Sequence, residues 1–347
     1  MLSCFTIAQT TSEIYQLSNS QAAGSARYNG LSGAFGALGG DFTALGENAA
    51  SGAVFSHSNG SITFGYSNND YTTDYLGNSS VSEFENLRLN QLGAIMVLKT
   101  AGVKKGGITK FSLGIAYNRE NDFREEYSFG GNATNTIGDY FVGQANAATS
   151  NFGLEPNELS VDATSGESLS SVYSSFANEF ASQQALLGFQ GDVLGILDDG
   201  SYQSNITGGT SQQVNIINRG NSDKTTLNMS MELDKSIYLG ANLNIHSLDY
   251  EKNLFYTETN TSNDVRQVNY DTSISTVGQG LSFGFGAIAK LGNQLRLGAS
   301  YNSPRYLFLE DELIQSVQTV NADGAVQSVI PNISTICLLY TSPSPRD

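Results

Sequence analysis

Tryptophan is absent from this 347-residue chain, cysteine occurs only as Cys4 and Cys337, proline occurs 5 times, and Lys and Arg together number 17. Each scarcity excludes something. Two cysteines at opposite ends, far in sequence from His57 and His246, supply neither a disulfide framework nor a thiolate metal site. The few basic residues are scattered against a formal net charge of -16. They make no cationic face for a phosphate backbone, so nucleic acid is excluded as a partner. Charged residues make up only 14% of the chain, where about 25% is usual. The mean hydropathy is nevertheless -0.21, and no run of about 18 apolar residues occurs, which excludes membrane-crossing helices. No cofactor or resident metal is expected.

What remains is polarity carried by Ser, Thr, Asn, Gln and Gly, together with 18 Phe and 17 Tyr. Strict alternation places these on opposite faces of strands. Leu227, Met229, Met231 and Leu233 share one face, with Asn228, Ser230 and Glu232 opposite. After Asp234-Lys235 the pattern resumes, Ile237, Leu239, Ala241, Leu243 and Ile245 opposing Tyr238, Gly240, Asn242, Asn244 and His246, which predicts a hairpin on a tight turn. Leu281 to Ala289 and Leu295 to Tyr301 repeat the design around Leu291-Gly292-Asn293. An earlier pair turns around Lys104 to Gly107 and aligns Leu113, Ile115 and Tyr117, and Ile62, Phe64 and Tyr66 mark a first strand.

Two architectures have one apolar face per strand: a soluble β-sandwich and an antiparallel transmembrane β-barrel of the outer-membrane type. The segments between strands separate them. Short turns alternate with long connections at about residues 67 to 89, 120 to 222 and 251 to 274, the asymmetry of an outer-membrane barrel. Within the longest, Leu169, Val172, Phe176 and Phe180 fall at helical spacing, and a nearly continuous apolar stretch with Leu186, Leu187 and Phe189 runs from Ala185 to Leu197. That stripe either packs the loop against itself or forms a ledge on which a hydrophobic ligand lands.

The glycine-rich run GLSGAFGALGGDFTALGENAA, residues 30 to 50, is no phosphate loop. Gly33, Gly36, Gly39 and Gly40 have neither the phosphate-loop nor the dinucleotide spacing, and the first lysine is Lys99. Phe35, Leu38, Phe42 and Leu45 are spaced through it as packing anchors, which a flexible linker lacks. Residues 1–8 have the end of a secretory signal, with Ala8 before Gln9. The last eleven residues, Cys337 to Asp347, match codon by codon the translation of a tagmentation sequencing adapter, so the natural chain is expected to continue past Ile336.

The stretch ARYNGLSGAFGALGGDFTAL, placed directly before an alternating strand, resembles the N-terminal hatch of the long-chain fatty-acid outer-membrane transporter family, the FadL/TodX type. Relatives typically carry Asn-Pro-Ala where this chain has Asn48-Ala49-Ala50, so Asn48 and Ala50 carry over as hatch residues and Ala49 is a substitution. The resemblance implies a hatch over residues 9–52, including Gly33, Phe35, Gly36, Gly39, Gly40 and Phe42, followed by a partial barrel over 53–336 with a loop insertion at 120–222. It further implies a monomer in the outer membrane of a Gram-negative bacterium, not an enzyme, taking up long-chain fatty acids or other hydrophobic compounds and passing them sideways to membrane lipid. Phe176, Phe180, Leu186, Leu187 and Phe189 are the candidate ligand residues. An eight-stranded barrel is filled by its own side chains, so the eight or nine strand candidates are expected to form an open sheet around the hatch that by itself neither inserts nor transports.

Two other functions fit parts of the sequence. Asp122, Glu125 and Glu126, and Glu310, Asp311 and Glu312, are oxygen clusters that an adhesive surface barrel could use to bind Ca²⁺. A membrane hydrolase would need a Ser-His-acid set, but neither histidine lies near a nucleophile elbow, and His246 is expected to make a hydrogen bond in the lumen.

Overall fold

The computed structural model describes residues 24–100, 107–177, 179–261, 264–292, 294–331 and 335–341, the last stretch as backbone only. The signal reading at 1–8, hatch residues 9–23, most of the Lys104 to Gly107 turn and adapter residues 342–347 lie outside the described residues.

Eleven strands form one antiparallel sheet. In chain order they are β1 (Asn59–Tyr75), β2 (Asn78–Lys99), β3 (Ile108–Asp122), β4 (Glu125–Ala133), β7 (Thr210–Leu233), β8 (Ile237–Asn260), β9 (Val265–Leu291), β10 (Leu295–Asn302), β11 (Tyr306–Asn321), β12 (Val326–Val329) and β13 (Thr335–Thr341). A separate hairpin holds β5 (Leu194–Ile196) and β6 (Tyr202–Ser204). The main path runs β1-β2-β3-β7-β8-β9-β11-β12; β4 also pairs with β7, β10 with β9 and β13 with β11. Residues 337–341, read above as foreign sequence, lie in β13. Among the described residues β1 pairs with β2 alone, and no ladder joins it to β12 or β13, so the sheet is all-β, antiparallel and open.

The two faces of the sheet are inverted relative to a soluble protein. Leu227, Met229, Leu243, Ile245, Phe283 and Phe285 are 40–55% exposed, whereas Asn228, Ser230, Asn242, Asn244 and Ser282 on the other face are 1–5% exposed. A sandwich buries its apolar face; here the polar face is the covered one. Ile62, Phe64, Tyr66, Leu113 and Ile115 also lie on the exposed side.

The predicted hairpin forms with Leu233 opposite Ile237. Asp234 and Lys235 both have positive φ, 50° and 57°, which sets the turn's twist to that of the flanking strands. The connections at 67 to 89 and 251 to 274 are not loops. β1 and β2 continue to a turn at Leu76-Gly77, and β8 and β9 continue to residues 260 and 265. Beyond the apolar stripe the outward residues change to Thr, Ser, Asn and Asp, so apolar alternation ends while the β-formers Tyr71, Thr73, Tyr256 and Thr257 carry the strands on. Strand pairing likewise takes in 125–133 and 210–222, and the irregular insertion is confined to residues 134–209.

That insertion is a helical cap of α2 (Ile137–Phe152), α3 (Leu169–Ser175) and α4 (Phe180–Gln190), preceded in the chain by α1 (Ala26–Gly30) near its start. The cap core of Ile137, Phe141, Leu186 and Leu187 packs on Val265 and Val268 of β9 and Val317 of β11, on the same face that carries the buried polar residues. Two buried groups latch it. The fully buried Glu258 accepts the Ile137 N–H at 2.9 Å, and Gln184 Nε2 reaches Gln315 at 2.5 Å.

Left-handed backbone costs a non-glycine residue about 1–2 kcal/mol, least for Asn and Asp. Asp234→Asn with Lys235→Gly should therefore raise the urea midpoint of the chain. Asp234→Val with Lys235→Val should lower its stability by about 2 kcal/mol.

Candidate functional site

The segment expected to form the hatch is described from residue 24, and there it is tied by a knot of short-range bonds. Ser25 caps α1 by accepting the Tyr28 N–H at 3.0 Å and donates its hydroxyl to Asp41 at 2.6 Å; Asp41 accepts the Thr43 N–H at 2.8 Å. Tyr28 stacks on Phe35 with centroids 5.4 Å apart, and Arg27 covers the Phe35 ring from 5.3 Å. Burial, with Glu47 nearby, pushes the Tyr28 phenol up to about 12. Two 3-10 turns follow, Thr43–Gly46 and Ala49–Val54. Between them and α1 the chain reverses through Gly39, whose φ of +62° suits glycine and where a Cβ would stand 2.6 Å from Val54 Cγ2.

Asn48 joins this segment to the sheet. It is 1% exposed. Its Oδ1 accepts the Ala50 N–H at 2.9 Å, capping the second turn, and its Nδ2 lies 2.7 Å from the Gly36 carbonyl, 3.4 Å from that of Ala287 in β9 and 3.3 Å from that of Ala299 in β10. Ala49, where relatives of the resembled family carry proline, is the first residue of that turn, a position that proline's fixed φ suits.

The wall reciprocates. Asn228 donates to the Ala49 carbonyl at 2.7 Å, Asn242 to the Leu45 carbonyl, Asn302 to Glu47 at 3.3 Å and Arg296 to Leu38 at 3.1 Å. Among the described residues this segment makes no strand ladder with the wall, and side-chain amides satisfy carbonyls that its own turns leave open. Glycines let the two backbones meet: a Cβ on Gly240, Gly286 or Gly298 would collide with Ala49, Asn48 or Gly36, and one on Gly93 would come 2.5 Å from the Phe42 ring.

Of the residues singled out in the sequence, Phe35, Phe42, Leu45, Asn48 and Ala50 are buried at 0–4% exposure, and Gly39 with them. Gly33 and Gly40 are half-buried, Gly36 is exposed but gives its carbonyl to Asn48, and Leu38 is exposed, so its side chain is no packing anchor. The notches at Gly240, Gly286 and Gly298 were not singled out; glycine at inward positions of otherwise alternating strands was the available signal.

Above the hatch lies a charged layer. Glu120 is met by Lys224 at 3.0 Å, Arg305 at 2.7 Å and His246 Nδ1 at 3.6 Å. His246 Nε2 lies 2.8 Å from Ser282 Oγ, so serine, histidine and carboxylate stand in hydrolase order. The geometry goes no further toward acyl transfer. The N–H of Phe283, the residue after the serine and the usual oxyanion donor, is spent on Ser303 Oγ at 3.0 Å, and Glu120 is engaged by two cations, Lys224 and Arg305, besides the imidazole. Next to this layer on the same wall is an apolar patch of Phe123, Leu248, Tyr250 and Leu309.

The five candidate ligand residues all lie in the cap. Leu186 and Leu187 are fully buried and Phe176 is 8% exposed, while Phe180 and Phe189 are half-buried. The expected continuous helical stripe is broken between α3 and α4, and the cap's core takes up most of these side chains. α2 was missed, although Asp139 accepting the Thr136 N–H at 2.8 Å and Gly153 at φ 74° mark its two ends in sequence. The proposed cation clusters do not converge: strand alternation puts Asp311 inward and Glu310 outward, and Asp122 is engaged by Arg124 at 2.9 Å and Asn86 at 2.8 Å. No group of three or more His, Cys, Asp or Glu among the described residues could hold a metal ion.

Asn48→Ala removes a helical cap and three carbonyl contacts at once and should cost about 1–3 kcal/mol. Amide exchange over residues 36–55 should quicken while β7 and β8 stay protected. Gly286→Val should have the larger effect. In comparisons with known proteins the chain matches no family model, no curated protein and no solved structure.

Proposed function

We propose that this protein is an outer-membrane uptake channel for hydrophobic compounds with an acidic head, long-chain fatty acids being the type, and that residues 9–52, described from residue 24, are its hatch. The observation that carries the reading is the inversion of the sheet: exposed leucine, methionine and phenylalanine outside, and a buried amide wall with a plug seated on it inside. On β8 the apolar outward positions run from Ile237 to Ile245, the length of a strand tilted through a bilayer, about 9–11 residues. No helix among the described residues is long and apolar enough to cross a membrane, so any crossing by the described residues falls to strands.

The inner wall supplies the chemistry for an amphipathic acid. Lys224, Arg305 and His246 converge on Glu120 beside the apolar patch of Phe123, Leu248, Tyr250 and Leu309. A ligand carboxylate would compete with Glu120 for Lys224 and Arg305 while its chain lies on the patch. Below, a hatch held by side-chain amides and glycine notches is able to shift without breaking a strand ladder. The cap, with Phe176, Phe180 and Phe189 in or beside its core, stands over the same wall.

Two measurements test this. With Cys4 and Cys337 changed to Ser, an environment-sensitive dye on single cysteines at Leu243, Met229 and Phe285 should report a lipid-like setting in micelles, and one at Asn244 should not. Leu243→Arg should cost about 2–4 kcal/mol in a bilayer. Equal dye signals from both faces would sink the membrane reading. For the ligand, Arg305→Ala should weaken oleate binding by about tenfold, on the order of the 1.4 kcal/mol worth of one charged contact, and leave hexadecane binding unchanged. Equal loss for both would remove the acidic head from the reading.

A further inference from the structure

The backbone ladder between β2 and β3 stops short. Its last pair is Gln91 with Asn118, beside an extra residue, Asn90, where the pairing with β1 skips from Gln91 to Leu89. Farther along, β2 reaches β4 only through side chains: Ser80 Oγ donates to the Ser128 carbonyl at 2.8 Å, and Ser82 Oγ accepts the Ser128 N–H at 3.2 Å. Between the end of the ladder and these bridges opens a cleft of about 470 Å³, lined by residues 67–71 of β1, Asn86 and Arg88 of β2, and Asp122, Arg124 and Glu125. That volume lies in the range of small-ligand clefts, about 300–1,000 Å³.

We infer that this cleft binds an uncharged, hydroxyl-rich ligand, a saccharide. The lining is almost wholly polar, which disfavours a hydrophobic compound. Arg124 grips Asp122 with two nitrogens at 3.0 and 2.9 Å and Asn86 adds a third donor at 2.8 Å, while the carboxylates of Asp70 and Glu125 line the cleft as acceptors for hydroxyls. Unsatisfied hydrogen-bonding capacity, of donors and of acceptors, is left over. Ser67 Oγ and Arg88 Nε in the cleft, and Asn90 Oδ1, Gln91 Nε2 and both amide atoms of Asn118 next along the same face, are buried without a partner. Asn90, Gln91 and Asn118 are 8%, 0% and 3% exposed. Buried amides left unmatched cost about 1–3 kcal/mol each, and sugar hydroxyls match both halves of an amide. Tyr71, its ring 5.8 Å from that of Tyr127, offers an aromatic face for a pyranose at the rim. The inference does not rest on the hydrophobic-uptake reading: the cleft adjoins the Glu120 layer along β3 but has the opposite chemistry.

Calorimetric titration of the micelle-embedded chain with maltose and with N-acetylglucosamine tests it, inorganic phosphate and calcium chloride serving as ionic controls. Saturable binding of at least one sugar, insensitive to salt, is expected, weakened about tenfold by Tyr71→Leu and by Asn118→Leu. Because Asn118 has no partner to lose, Asn118→Leu should leave the melting temperature unchanged or raised, which separates a ligand role from a structural one. Failure of both sugars to bind, binding of phosphate or calcium in their place, or sugar binding untouched by both variants would overturn the inference.

Discussion

Hydrogen bonds from wall amides to hatch carbonyls set the terms for the rest of this structure. A plug without regular ladders has carbonyls that nothing in its own backbone satisfies. Asn228, Asn242 and Asn302 reach inward to take them, and Asn48 returns the favour to the wall. Once one face of every strand is committed to amides, alternation forces the apolar residues to the other face. The exposed stripe of Leu243, Phe283 and Phe285 is thus the geometric counterpart of a polar interior.

The covered wall is layered rather than uniform. Small residues and notches accept the hatch, a charged group centred on Glu120 follows, then the patch around Leu248 and Tyr250, then the helical cap on Val268 and Val317. Every layer is built from residues two apart on the same strands, so β8 alone contributes Gly240, Asn242, His246, Leu248 and Tyr250 in turn. One strand with period two writes a cross-section through the whole interior.

Much of this was legible in the sequence wherever the two faces differ in polarity. The hairpin at Asp234-Lys235, the outward stripe and the burial of Phe42 follow from alternation and from the company the glycines keep, whereas Asn48 was marked only by the resemblance. Legibility ended where both faces turn polar: residues 67–75 and 251–260 carry strands on Tyr and Thr without an apolar stripe. Contacts between distant segments leave only a faint local trace: an inward glycine such as Gly240 hints at a close approach but does not say that Ala49 makes it. α2 had its end signals at Asp139 and Gly153, but its apolar positions Ile137, Phe141, Ala145 and Ala148 are too small and sparse to stand out.

Asn90 is a phase setter. On one side of it Asn86 and Arg88 face inward, on the other Gln91, Gly93 and Ile95 do, so even positions give way to odd ones across a single extra residue. Strand β2 therefore holds two reading frames of the same inside-outside code. Losing that one residue would be a frameshift in space: one half of the strand would turn its amides and arginine to the outer side and its leucines toward the hatch. A gene alignment would score it as a single gap.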